Sequence, residues 1–97
     1  MELPNTLKIG EVKYTVLPVG GSVKPGCLGF INYDDAVIMV STSKDSRPRS
    51  DAAVAQTFWH EVTHGILYDM GHRLESNEEF VEQFSRRLSN AIRSAKF

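Results

Sequence analysis

The residues best suited to chemistry form one short run, HEVTH at positions 60–64, which has the pattern HExxH. Histidines four residues apart on a helix lie on the same face, so both imidazoles can bind one metal ion. Glu61 is rotated about 100° from His60, which points its carboxylate beside the metal. There it could act as general base towards a water whose pKa zinc lowers to about 7. The spacing predicts a zinc centre with His60 and His64 as ligands and Glu61 as catalytic base.

A third protein ligand is expected, because catalytic zinc sites usually have three together with a water. We predict Glu78, which lies in the first turn of a second predicted helix, on the same side as Val81 and Ser85. Antiparallel packing of the two helices would bring this turn close to His64. Glu78 therefore completes the predicted set of zinc ligands.

Two neighbouring residues are alternatives for the third ligand. Glu79 follows Ser76 by three residues, a capping-box spacing in which the glutamate side chain reaches back to the serine amide. His72 follows Gly71, a residue that typically ends a helix, so it falls outside the helical spacing of the first two histidines. Both residues remain possible ligands at this stage.

The elements that must position these residues are two helices in the second half of the chain. The first is predicted from about residue 50 to residue 70, with Ser50 or Asp51 as its N-cap and Gly71 as its end. Its side opposite the histidines should pack on the domain through Phe58, Val62 and Ile66. The second is predicted to begin at Ser76 and to carry an apolar stripe that consists of Phe80, Val81, Phe84, Leu88, Ala91 and Ile92.

The first half of the chain reads as two hairpins. Alternating apolar residues on either side of Gly10-Glu11 predict the first, and two apolar runs around Asp34-Asp35 predict the second. With the two helices that follow, this order predicts a single α+β domain over residues 1–97. We expect a small N-terminal antiparallel sheet of two hairpins, followed by two packed helices.

Composition narrows the expected partners and location. The net charge of the 97 residues is −1, which gives no overall basic field for nucleic acid or anionic lipid. Cys27 is the only cysteine, which excludes an internal disulfide and fits a reducing compartment; we expect it to be buried. No apolar run is long enough to cross a bilayer. We therefore expect a cytoplasmic protein without a nucleic-acid or membrane partner.

Two segments carry a resemblance to a known family. HEVTHGILYDMG followed by NEEFVEQFSRRL resembles the gluzincin branch of HExxH zinc peptidases, in which a glutamate on the next helix is the third ligand. The chain is also similar to short metallopeptidase-like proteins of phages and mobile elements, related to the ImmA/IrrE group. The resemblance implies a minimal zincin-like domain with Glu78 on the metal. It also implies that Glu82, four residues on, accepts a hydrogen bond from a zinc-bound histidine and so supports it.

The function expected from these features is zinc-dependent hydrolysis of peptide bonds, as an endopeptidase acting on a peptide or protein substrate. The resemblance implies that the substrate lies along an exposed sheet edge, for which residues 37–42 are the candidate. An alternative is a zinc-stabilised regulatory or protein-binding module without significant proteolysis, and a third is a metal-free interaction domain. Candidates for stabilising the transition-state oxyanion are Tyr33, Tyr68, His72 and Arg73.

Overall fold

A computed structural model describes residues 3–97 of the chain. Within these residues, the N-terminal half contains six strands, which are β1 (Thr6–Ile9), β2 (Val12–Val19), β3 (Gly29–Asn32), β4 (Val37–Ser41), β5 (Ser43–Lys44) and β6 (Arg47–Pro48). The C-terminal half contains α1 (Asp51–Asp69), a short 3₁₀ segment (Arg73–Ser76) and α2 (Glu78–Ser94). The predicted α+β class, with a sheet followed by two packed helices, is confirmed.

The first four strands form one sheet in the order β1-β2-β4-β3. The two predicted hairpins, β1-β2 and β3-β4, are antiparallel. They are joined by a parallel pairing of β2 with β4, in which Thr15 lies opposite Val37. The sheet is therefore mixed, which corrects the expectation of a wholly antiparallel one. Apolar alternation defines each hairpin but carries no information on how two hairpins dock.

The prediction that residues 37–42 form the peptide-binding edge of the sheet is wrong. Strand β4 lies between β2 and β3, so its backbone is hydrogen-bonded on both sides. Ile38 and Val40 are completely buried, because their side chains point into the core between the sheet and α1. The edges of the sheet are β1 and β3.

Helix α1 packs across one face of the sheet and forms the core with it. From α1, Val54, Phe58 and Val62 are buried against the sheet residues Ile9, Tyr14, Val16, Ile31, Ile38 and Val40. Gly65 allows a close approach, because a Cβ there would lie 2.7 Å from Cδ1 of Ile9. Ile66, expected to be buried, is 41% exposed. This packing fixes α1 in rotation, so the side that carries the histidines turns away from the sheet.

The two helices start differently from each other. Ser50 caps α1 by accepting a hydrogen bond from the amide of Ala53, as predicted. The N-cap of α2 is Asn77, whose Oδ1 accepts from the amide of Phe80 at 2.9 Å. The predicted capping box of Ser76 and Glu79 is wrong, because Ser76 belongs to the 3₁₀ segment.

Helix α2 packs on α1 through small residues. Its buried positions are Val81, Ser85 and Ser89, whereas Phe84 and Ile92 of the predicted apolar stripe are largely exposed. Small side chains at the contact let the two helices approach closely, so the first turn of α2 comes within reach of α1. Among the described residues, no helix has both the length and the apolar character needed to cross a membrane.

Candidate metal centre

Helix α1 presents His60 and His64 together on the side that faces α2. Their ring centroids are 5.1 Å apart, and the two side chains are only 17% and 10% exposed. The opposite side of the same turns carries Phe58 and Val62, which are buried in the core. The imidazoles are therefore held in place by a helix that cannot rotate without exposing apolar surface.

Glu78, the first residue of α2, completes the cluster. Its Oε2 lies 3.2 Å from Nε2 of His60, and its Oε1 lies 2.9 Å from Nε2 of His64. One ligand atom from each of the three residues lies within 4.8 Å of the other two. This group of two imidazoles and one carboxylate could hold a metal ion. The structure thus brings together the three residues that the sequence singled out as ligands.

The two alternative third ligands lie outside this cluster, which is the group found among the described residues. His72 is the N-cap of the 3₁₀ segment, and its Nδ1 accepts a hydrogen bond from the amide of Leu74 at 3.1 Å. Glu79 is exposed in the first turn of α2. A ring nitrogen that caps a backbone amide cannot bind a metal with the same lone pair.

The outward ring nitrogens of both histidines face oxygen atoms as well. Nδ1 of His60 lies 3.2 Å from Oε2 of Glu82, and Nδ1 of His64 lies 2.8 Å from the backbone oxygen of Glu75. A neutral imidazole has one N–H, so it can donate to only one of its two oxygen neighbours. A cation between the two Nε2 atoms and Glu78 would satisfy the remaining lone pairs. The donor set therefore fits a metal, with each Nδ1–H donated to an outer partner.

Glu82 is the residue that the family resemblance implied as support for a histidine, and it lies beside His60. Its other oxygen, Oε1, accepts hydrogen bonds from Nε2 of Gln56 and Nη2 of Arg86, both at 3.2 Å. The sequence reasoning did not single out Glu75, whose backbone oxygen and Oε2 lie 2.8 Å and 3.5 Å from Nδ1 of His64. The backbone oxygen of Glu75 is positioned by the 3₁₀ segment, and that segment has no periodic pattern of apolar residues from which it could have been predicted.

Glu61 lies on the sheet side of the cluster and is 8% exposed. Burial raises the pKa of its carboxyl; His60 and His64 lower it, and Glu78 raises it further. The carboxylate packs against β3 at Gly29, where a Cβ would be 2.8 Å from Oε2 of Glu61 and 2.6 Å from Cγ2 of Thr57. Gly29 is therefore needed for the edge strand to lie directly beside the predicted base.

The cluster opens into a cleft of about 620 Å³ between α1, the start of α2 and the edge strand β3. Of the four oxyanion candidates, Tyr33 lines the cleft, whereas Tyr68, His72 and Arg73 are not among the described residues that line it. The hydroxyl of Tyr33 donates to Oε2 of Glu75 at 2.8 Å. Burial, followed by this hydrogen bond, raises the pKa of Tyr33.

Cys27 also lines the cleft. Its side chain is exposed, which corrects the expectation that it is buried. The cleft wall formed by residues 26–31 is otherwise glycine and apolar side chains, and the opposite wall carries the carboxylates of Glu75, Glu78 and Glu82.

Comparisons with known proteins leave the site to be interpreted from its own geometry. The chain matches no protein-family profile. It likewise matches no curated protein and no solved structure.

Proposed function

We propose that the chain is a zinc-dependent peptidase in which Glu61 is the general base. The observation that carries the proposal is the convergence of three ligand-type side chains from two helices, His60, His64 and Glu78, with a buried carboxylate directly beside them. This arrangement is the one that the HExxH spacing and the resemblance to gluzincins imply. The resemblance to gluzincins, and to short proteins related to the ImmA/IrrE group, is part of this proposal.

Each residue has a defined task in the proposed reaction. His60, His64 and Glu78 would hold zinc, which when bound supplies a Lewis acid for the scissile carbonyl and acidifies the attacking water. Glu61 takes a proton from that water and returns it to the nitrogen of the leaving amine. Its burial against Gly29 supports this role, because burial raises the pKa of the carboxyl and so improves its match to a proton transfer near neutral pH.

The substrate in this proposal is an extended peptide paired to β3 rather than to β4. The oxygen of Leu28 accepts from the amide of Ser41, so Leu28 and Phe30 point their backbone groups towards β4. The intervening Gly29 and Ile31 therefore point theirs away from the sheet, where a peptide can add as a further strand. Both residues line the cleft. A cytoplasmic location is part of the proposal, since an exposed free thiol such as Cys27 suits a reducing compartment.

Substitution of the proposed base tests this function. In Glu61→Gln the amide cannot accept the proton, so cleavage of any peptide that the zinc-loaded wild type hydrolyses should fall by about 10²–10⁴-fold. Zinc content should stay at the wild-type level, because Glu61 is not among the proposed ligands. The measurement is cleavage of a mixed peptide library, read by mass spectrometry, with zinc quantified in the same samples.

Glu79→Gln is the matched control, because it removes a carboxylate outside the cluster and should retain cleavage. A Glu61→Gln protein that cleaves at the wild-type rate would contradict the proposed role. A wild type that binds zinc and cleaves nothing would favour the regulatory or protein-binding alternative instead.

A further inference from the structure

We infer that Tyr33 and Glu75 form a latch that positions His64 for the metal. The inference rests on the proposed function, because it concerns the metal centre of that same site. Tyr33 and Glu75 are positioning residues in this inference, because they act on the metal site through His64. The latch is defined as the side-chain hydrogen bond between the Tyr33 hydroxyl and the Glu75 carboxylate.

Two hydrogen bonds meet at Glu75, one to His64 and the other the latch itself. Nδ1 of His64 faces the backbone oxygen of Glu75 at 2.8 Å, and Oε2 of Glu75 lies further from it, at 3.5 Å. The side chain of the same glutamate accepts the hydroxyl of Tyr33 at 2.8 Å. The ring nitrogen of His64 is therefore connected through Glu75 to the turn that follows β3. A donated Nδ1–H leaves the lone pair on Nε2, which is the nitrogen that faces Glu78.

The segment that carries Glu75 needs such an attachment. Arg73–Ser76 is a single turn of 3₁₀ helix in which no residue is buried. Its local hydrogen bonds include the Leu74 amide to His72 Nδ1 and the Glu75 amide to the His72 oxygen, both at 3.1 Å, and the Asn77 amide to the Leu74 oxygen at 3.0 Å. These bonds hold the turn together but do not tie it to the sheet. The hydroxyl of Tyr33 supplies that tie, across 42 positions of sequence.

Tyr33 is itself held firmly enough to act as an anchor. Its ring packs against the hydrophobic core. It also stacks on the ring of Tyr68 with a centroid distance of 3.8 Å and an interplanar angle of 5°. The hydroxyl lies 3.4 Å from the backbone oxygen of His64, so it touches both residues that it is inferred to hold in register.

The pair Tyr33 and Tyr68 offers a matched comparison. Tyr33→Phe removes the hydroxyl that bonds Glu75 and keeps the stacked ring. Tyr68→Phe removes a hydroxyl from the other ring of the same stack and leaves the latch intact. Zinc affinity, measured by competition with a chelating dye, should fall roughly tenfold in Tyr33→Phe and stay at the wild-type value in Tyr68→Phe.

Variants at Glu75 separate positioning from a loss of packing. Glu75→Gln retains an oxygen that can accept the Tyr33 hydroxyl, so it should bind zinc nearly as the wild type does. Glu75→Ala keeps the backbone oxygen but removes the latch, and should match Tyr33→Phe. The double variant Tyr33→Phe/Glu75→Ala should lose no more than the larger single effect, since both changes break one interaction. In ¹⁵N spectra of the zinc-loaded protein, the Nδ1–H of His64 should exchange faster with water in both single variants.

The outcomes distinguish this inference from the function on which it rests. A wild type that binds no zinc would contradict the proposed function, and the inference with it. A wild type that binds zinc, with Tyr33→Phe and Tyr68→Phe equal in affinity, would overturn the inference alone. Equal losses in Glu75→Gln and Glu75→Ala would also overturn it, because they would indicate that the charge of the Glu75 carboxylate, 3.5 Å from Nδ1 of His64, matters and the hydrogen bond to Tyr33 does not. Additive losses in the double variant would overturn it as well, because they would indicate two independent effects.

Discussion

The two helices that meet at the cluster are built in opposite ways. Helix α1 is fixed by the sheet, and the side chains that it contributes, His60, Glu61 and His64, are mostly buried. Helix α2 contributes Glu78, whose side chain is 69% exposed, and it docks through a narrow strip of small residues. The difference implies a division of labour, in which the core would preset two of the proposed ligands and the proposed base, while α2 would supply the third ligand from a largely exposed position.

The largest effect on zinc affinity should come from Glu78, the exposed residue that α2 contributes. Glu78→Gln should lower zinc affinity by orders of magnitude, because it replaces the carboxylate that both Nε2 atoms face. Glu79→Gln changes the adjacent residue of the same turn and should leave zinc affinity unchanged. The melting temperature of the metal-free protein should hardly move for Glu78→Gln, since that side chain is mostly exposed. Zinc titration and thermal melts of both variants check this.

His72→Ala is the control for the 3₁₀ segment that connects the two helices. It removes the cap of the 3₁₀ segment and should lower stability by about 1 kcal/mol, the usual cost of losing a cap, with little change in zinc binding. If His72→Ala or Glu79→Gln were the variant that loses the metal, the assignment of the third ligand would be wrong.

A smaller loss is expected at Glu82, one turn further along α2. Its Oε2 lies 3.2 Å from Nδ1 of His60, and outer partners of this kind typically change metal affinity by about 10- to 100-fold. Glu82→Gln should therefore bind zinc more weakly than the wild type and more tightly than Glu78→Gln. Arg86→Gln removes the exposed partner of Glu82 and should be nearly neutral. An unchanged zinc affinity in Glu82→Gln would mean that α2 contributes to zinc binding only through Glu78.

The smallest effect concerns Glu61, the buried carboxylate on α1, and would be seen as a change in thermal stability. Burial raises the pKa of Glu61 above its ordinary value of 4.5. A raised pKa in the folded state contributes stability below pH 4.5, and this contribution is lost as the pH rises through the folded-state value. At neutral pH the metal-free Glu61→Gln variant should therefore melt a few degrees above the wild type, and the gap should close near pH 4. A gap that widens towards low pH would contradict this sign.

The sequence was most informative where one short pattern settles both the element and the chemistry. The HExxH spacing and the apolar residues Phe58 and Val62 together predict where α1 lies and which side carries the ligands. Glu78 could be singled out because helical phase relates it to the inward residues Val81 and Ser85. These inferences depend on contacts within one helix, for which sequence spacing is a reliable guide to geometry.

The errors concern relations between elements. The hairpin order placed β4 in the centre of the sheet, although its position next to α1 in sequence had made it the candidate edge. The 3₁₀ segment moved the N-cap of α2 from Ser76 to Asn77 and brought the backbone oxygen of Glu75 to His64. Neither the parallel β2-β4 pairing nor this backbone contact has a signature in residue type, because both depend on where separate elements dock.

The most direct test of the account is a calorimetric titration of the metal-free wild type with zinc. We expect one zinc per chain, since His60, His64 and Glu78 form one cluster. We also expect a melting temperature that rises with zinc concentration, because a ligand that binds only the folded state stabilises it. A titration without binding heat, together with a melting temperature that ignores added zinc, would contradict the metal centre from which the proposed peptidase function follows.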